Sequence, residues 1–199
     1  MTRNSSHLKI AKSRILEVST LISDFESQCL DQISAVASLM TEAFRNGSKV
    51  LICGNGGSAA DSQHFAAELV SAFSKDINRP ALPALALTVD TSILTAFSND
   101  FGFNGVFARQ VEAFGLPGDI LIVLTTSGQS ENCIQAVAAA RKGSLKTIAF
   151  TRTGGSISNL VDFSILVPSS NTQHIQECHM ISYHIISEII ELELFGGEN

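Results

Sequence analysis

The chain has 199 residues, 45% of them hydrophobic and 16% charged, a balance that excludes a disordered chain and supplies enough apolar surface for one compact core. Its 13 Lys+Arg against 19 Asp+Glu leave a formal charge of −6, which argues against a protein that works mainly by gripping nucleic-acid phosphates. No stretch nears the ~18–20 consecutive apolar residues of a membrane span, and Met1 to Lys9 lacks the apolar region of a secretory signal. The four cysteines (Cys29, Cys53, Cys133, Cys178) are dispersed with no C-x-x-C pair, so free thiols in a reducing cytoplasm are expected.

From about Ser5 to Arg45 apolar residues recur at helical spacing (Leu8, Ala11, Ile15, Val18, Ile22, Phe25, then Ile33, Val36, Leu39, Met40), and Asn46-Gly47 is a helix stop. An arm this long, bent or split near Asp24 to Cys29, exceeds what one small domain covers, and part of its apolar face is expected to meet another subunit. After Gly47 the pattern changes to short apolar runs that end in turns and lead into helices. Strands are predicted at Lys49–Cys53, Ala81–Leu87, Ile120–Leu124, Thr147–Phe150 and Phe163–Val167. Helices are predicted at Ser58–Ala72, Thr91–Phe97, Val106–Phe114, Ser130–Lys142, a short one after Gly155, and Thr172–Leu194, before a frayed tail at Gly196-Gly197-Glu198-Asn199. Such alternation implies a parallel five-stranded sheet covered on both faces. The chain reads as a single domain over 1–199, an arm over 1–47 and an α/β core over 48–199.

Ligands of open parallel sheets bind outside the carboxyl ends of the strands, and two loops have the composition for it. Cys53-Gly54-Asn55-Gly56-Gly57-Ser58 follows the first strand; its glycines allow close backbone approach, and Ser58 can cap the next helix. Thr125-Thr126-Ser127-Gly128-Gln129-Ser130 follows the third and collects hydroxyls and amides at a helix start, which suits a phosphate without a lysine. Neither is a nucleotide fingerprint: G-N-G-G-S is not G-x-G-x-x-G, and no G-x-x-x-x-G-K-[ST] occurs. The plainer alternative is a pair of tight turns with capping residues.

His64 and Glu68 stand at i, i+4 on the helix after the first loop, hence on one face. That spacing suits two ligands of one zinc ion, a carboxylate poised beside an imidazole, or an idle surface pair worth a few tenths of a kcal/mol. The last helix carries His174, Gln176, Glu177, His179, Tyr183, His184 and Glu188. His184 sits among Tyr183, Ile185 and Ile186, where an unpaired imidazole is costly, so it should have a partner. Gln176 and His184 lie about 12 Å apart along a helix axis; long side chains converging, or different subunits supplying them, would reconcile that with one ion. His174 and His179 read as structural residues with satisfied rings.

Together these residues resemble the sugar isomerase (SIS) domain, and within it the phosphoheptose isomerase (sedoheptulose-7-phosphate isomerase) family. The likeness runs from about Leu51 to Glu191. It is carried by Cys53-Gly54-Asn55-Gly56-Gly57-Ser58, Gln63-His64-Phe65-Ala66-Ala67-Glu68-Leu69, Arg79-Pro80-Ala81-Leu82-Pro83-Ala84, Ser98-Asn99-Asp100-Phe101-Gly102, Thr126-Ser127-Gly128-Gln129-Ser130, and Ile175-Gln176-Glu177 with His184. The resemblance implies a flavodoxin-like doubly wound parallel sheet and a homotetramer. It implies conversion of sedoheptulose 7-phosphate to D-glycero-D-manno-heptose 7-phosphate, toward heptoses of lipopolysaccharide, capsule or another bacterial surface polysaccharide. Carried over, Asn55, Gly56, Gly57, Ser58, Asn99, Asp100 and Gln176 would touch substrate, and Thr125, Thr126, Ser127 and Ser130 would hold its phosphate. His64, Glu68, Gln176 and His184 would bind one zinc ion per subunit. Glu68, also at the substrate, would be the base of an enediol isomerisation and His184 its acid.

The chain departs from the family pattern at Ala72 and Gln173, where many members have Arg and Asp, and at Thr125, where Ser is commoner. These changes bear on substrate preference more than on the reaction. The rival expectation is a non-catalytic SIS protein that binds a replication initiator or another protein. That branch lacks the equivalents of Glu68 and His184, and both are present in this chain.

Overall fold

A computed structural model of the chain describes residues 3–196; of the expected tail, Gly197-Glu198-Asn199 lie outside them. The elements are α1 (Arg3–Arg45), β1 (Val50–Gly54), α2 (Gly57–Val70), β2 (Ala84–Ala86), α3 (Thr91–Phe101), α4 (Val106–Phe114), β3 (Ile120–Leu124), α5 (Glu131–Lys142), β4 (Lys146–Arg152), β5 (Phe163–Val167) and α6 (Thr172–Phe195), with 3-10 turns at Phe103–Gly105 and Ser156–Asn159. All strand pairings are parallel, in the order β2-β1-β3-β4-β5. This is the expected flavodoxin-like winding, whose order reverses between β1 and β3 and opens a crevice there. Cys53 pairs with Val123 and Gly54 with Leu124, so β1 and β3 end level and their loops adjoin.

Alternation along the strands builds two cores. Val50 and Ile52 of β1, Ile120, Ile122 and Leu124 of β3, and Ile148 and Phe150 of β4 face α1, α2 and α6. Leu51 and Cys53, Leu121 and Val123, and Ala149 face α4 and α5. Both faces of β1 and β3 are fully buried, which is why these strands read as continuous apolar runs.

Three expectations are corrected. α1 is one unbroken helix rather than a split one. No Pro or Gly interrupts Arg3–Arg45, and the region near Cys29 is pinned to β5: the Cys29 thiol donates to the Leu166 carbonyl (3.3 Å) and the Gln32 amide oxygen accepts from Leu166 N–H (2.8 Å). β2 is shorter than Ala81–Leu87 because Pro83 has no N–H for the ladder, though its carbonyl still accepts from Val50 N–H (3.0 Å). α3 runs a further turn than Thr91–Phe97, from a capping Asp90 carboxylate that accepts from Ile93 N–H to a stop at Gly102.

His179 is structural, as expected, but not satisfied. It is fully buried, edge-on to Phe150 (5.9 Å between ring centres), and neither ring nitrogen has a well-formed hydrogen bond among the described residues. Burial pushes its pKa down from 6.5 to about 3. Because the folded value lies below the unfolded one, acid favours the unfolded chain, which takes up a proton that the native state refuses. Unfolding free energy therefore falls by about 1.4 kcal/mol per pH unit on this account as pH drops from 6.5 towards 3. Urea titrations between pH 4 and 7 are expected to show a slope shallower by one proton in His179→Leu; equal slopes would refute it.

Candidate active site

The loop after β1 enters α2 through Gly56, which occupies the cap position with φ 57° and no side-chain cap. Ser58 is therefore not the helix cap; it lies buried inside the first turn, its N–H on the Asn55 carbonyl (3.0 Å). Gly57 lies against the Gln176 amide: a Cβ there would stand 2.5 Å from its Oε1 and displace that side chain. The Asn55 and Asn132 amides exchange two hydrogen bonds of 2.9 Å, which tie the first loop to the start of α5. A small cleft of about 110 Å3 opens beside Asn55 and Gly56, walled by Leu94, Phe103 and Phe107.

The loop after β3 gathers its hydroxyls at the N-terminus of α5. Thr125 Oγ1 lies 3.2 Å from Ser130 Oγ and 3.5 Å from Ser127 Oγ, and accepts from Gly128 N–H at 3.2 Å. Ser130 is the cap residue of α5, yet its side chain makes no cap bond. The first N–H groups of the helix therefore keep their affinity for an external anion.

α2 and α6 run side by side in the same direction, so their residues meet in ascending order. Gln176 faces Gly57 and Asp61, His184 faces His64, and Glu191 faces the segment just beyond α2. The ligand atoms of His64, Glu68 and His184 all lie within 4.8 Å of one another. His64 Nε2 is 3.0 Å from His184 Nε2 and 3.6 Å from Glu68 Oε1. The partner expected for His184 is thus His64. One Nε2 must carry the hydrogen and the other a lone pair. Tyr183 packs edge-on to both rings and stacks on Phe65.

Gln176 stands nearer the start of both helices. Its amide faces Asp61, whose carboxyl burial pushes up, against the lowering effect of Gln176, Tyr183 and His64. Asn99 and Asp100, at the exposed end of α3, bond to each other (2.8 Å) and to neither loop among the described residues. His174 sits apart, 3.9 Å from a Glu17 carboxylate, in a larger cavity of about 750 Å3 between α1 and the start of α6. Asp61 and Asn132 were not singled out from sequence for the site, and Tyr183 was named only on the last helix as a neighbour of His184. Asp61, one turn before His64, carried the one local signal.

The three-residue group suits a zinc ion. The 3.0 Å between the two Nε2 atoms approaches the ~3.3 Å separating two ligands ~2.0 Å from a tetrahedral zinc, and imidazole with carboxylate is a common donor set. An ion would take the place of the hydrogen the two rings share.

Comparison with known proteins identifies the family. The SIS domain family model matches residues 15–152. The chain is 48% identical over 187 residues to the phosphoheptose isomerase of Clostridium acetobutylicum, covering 94% of this chain and 90% of that protein. It is 54% identical to that of a Roseiflexus species, covering 82% of each. The structure of a phosphoheptose isomerase from Francisella tularensis superposes with a TM-score of 0.89 at 38% identity, over 96% of this chain and 99% of the other. With a SIS-domain model matching residues 15–152 and relatives about half identical over most of their length, the chain belongs to the phosphoheptose isomerase family of SIS-domain enzymes.

Proposed function

We propose that the chain isomerises sedoheptulose 7-phosphate to D-glycero-D-manno-heptose 7-phosphate through an enediol, for heptose-containing bacterial surface polysaccharide. The observation that carries the reading is the convergence of His64, Glu68 and His184, in a chain whose loop after β3 gathers hydroxyls at the N-terminus of α5. The phosphate sits on Thr125, Thr126, Ser127, Ser130 and the start of α5, where hydroxyls, N–H groups and helix dipole all favour an anion. Asn55, Gly56, Gly57, Ser58, Asn99, Asp100 and Gln176 hold the sugar hydroxyls.

The Glu68 carboxylate takes a proton from C1 of the ketose, and the electron pair forms the C1–C2 double bond. His184, through a ring nitrogen not engaged by a metal ion, supplies a proton to the C2 oxygen and accepts one from the C1 hydroxyl; Glu68 returns its proton to C2, leaving the aldose. His64, Glu68 and His184 would hold zinc, with Gln176 reaching from nearer the start of both helices as the further ligand, and zinc when bound would supply a Lewis acid for the carbonyl. The whole chain acts as one domain in a cytoplasmic homotetramer. The exposed apolar residues Leu8, Ile15 and Leu16 of α1 supply an apolar stripe for that assembly. No helix among the described residues is long and apolar enough to cross a membrane.

The test is incubation with sedoheptulose 7-phosphate in D2O, with and without chelator, followed by NMR. Aldose carrying deuterium at C2 is expected, formed more slowly after chelation. A folded, zinc-loaded protein giving neither conversion nor exchange would overturn the assignment and leave the protein-binding alternative to be tested.

A further inference from the structure

Beyond the last turn of α2 the chain makes a loop, residues 71–83, before β2, and this loop folds around one ion pair. The side chains of Arg79 and Glu191 are only 1% and 2% exposed. Arg79 Nε donates to Glu191 Oε2 (2.5 Å). Its Nη2 donates to the carbonyl of Glu68 (2.8 Å), and Nη1 to those of Leu69 (2.9 Å) and Pro80 (3.0 Å). Glu191 in turn accepts from the N–H groups of Phe73 (3.1 Å) and Ser74 (2.8 Å). Burial alone would raise the Glu191 carboxyl, but the guanidinium and these amides outweigh it and keep it ionised below the usual carboxylate range.

The last carbonyls of a helix have no partner within it, and a cation is favourable at that end. Arg79 thus acts as the C-terminal cap of α2, and the first carbonyl in its grip is that of Glu68. Glu191 lies seven residues after His184, two turns on and on the same face of α6. One buried pair therefore fastens the main chain of Glu68 to the helix that carries His184.

We propose that Arg79, oriented by Glu191, is a positioning residue for Glu68: it sets the distance between the Glu68 carboxylate and the His184 ring without touching substrate. The inference rests on the reading of Glu68 as the base. Only a planar fork can serve three carbonyls and a carboxylate at once; an ammonium in the same place is a single point charge. A small misplacement of a reacting group costs on the order of a hundredfold in rate, whereas substrate contacts lie elsewhere.

The experiment compares Arg79→Lys with the unaltered protein in kcat, KM, melting temperature and zinc titration into chelator-treated protein by calorimetry. Arg79→Lys is expected to fold and to lose about 30-fold in kcat with KM within about threefold, while zinc binds about tenfold more weakly because Glu68 has shifted. A lowered melting temperature with unchanged kcat and zinc affinity would show a brace only and overturn the proposal. Should Arg79→Lys not fold, Glu191→Gln carries the test: a several-fold loss in kcat at constant KM supports positioning, and unchanged kcat refutes it. If the unaltered protein is inert towards the sugar phosphate, the proposed function fails on its own, and the zinc comparison still decides the role of Arg79.

Discussion

Replacing Glu68 with Gln is expected to lower kcat by about 10²–10⁴ while leaving fold and assembly intact. The side chains are nearly isosteric, so the site keeps its shape, but an amide has no basic oxygen to take the C1 proton. Stability should hardly change. Among the described residues the one ion-pair contact of the carboxylate is with His64 at 3.6 Å, where the side chains are 46% and 19% exposed; such pairs contribute about 0–1 kcal/mol. Solvent exchange at C1 should disappear together with turnover, since both need the same proton transfer. Glu68→Gln retaining a tenth or more of the activity would remove Glu68 from the role of base. Loss of assembly along with activity would show a structural residue instead.

Elements whose pattern is local were legible in the sequence. Val106–Phe114, Ile120–Leu124 and Phe163–Val167 begin and end where periodicity and flanking turns set them, because each buries a repeating set of side chains on a fixed face. The errors arise where another part of the molecule decides. The stretch near Cys29 stays helical because the edge of β5 bonds to it. The anchors of the site are longer-range still. Asn132 meets Asn55 across 77 positions and Glu191 meets Arg79 across 112, and no spacing rule connects such residues before the sheet and helices bring them together. His64 and Glu68 were legible because one helix holds both, whereas the pairing of His64 with His184 required the parallel packing of α2 and α6. Arg79 and Pro80 carried the family resemblance without a role, since the backbone carbonyls that Arg79 holds leave no trace in residue type.

Replacing Gly128 with Ala is expected to cost about 2–4 kcal/mol of stability and to weaken phosphate binding tenfold or more. Gly128 has φ +69°, a conformation strained for any residue with a Cβ, and an added Cβ would stand 2.5 Å from Cα of Gly155 and 2.8 Å from Thr151 Oγ1. The neighbour is backbone, so it cannot swing away. The peptide is fixed on both sides: Gly128 N–H donates to Thr125 Oγ1, and its carbonyl accepts from Ile157 N–H (3.0 Å) and Ser156 Oγ (2.9 Å). Relief of the clash must therefore move the turn, and with it the Thr125, Ser127 and Ser130 hydroxyls proposed to hold the phosphate. Gly154 separates strain from crowding. It has φ +79° with nothing within 4 Å of an added Cβ, so Gly154→Ala should cost only about 1–2 kcal/mol and leave phosphate binding unchanged. Urea unfolding of both variants, beside inorganic phosphate as a competitive inhibitor, checks both halves. Equal destabilisation with unaltered phosphate inhibition in Gly128→Ala would mean that the loop after β3 is a structural turn and the phosphate binds elsewhere.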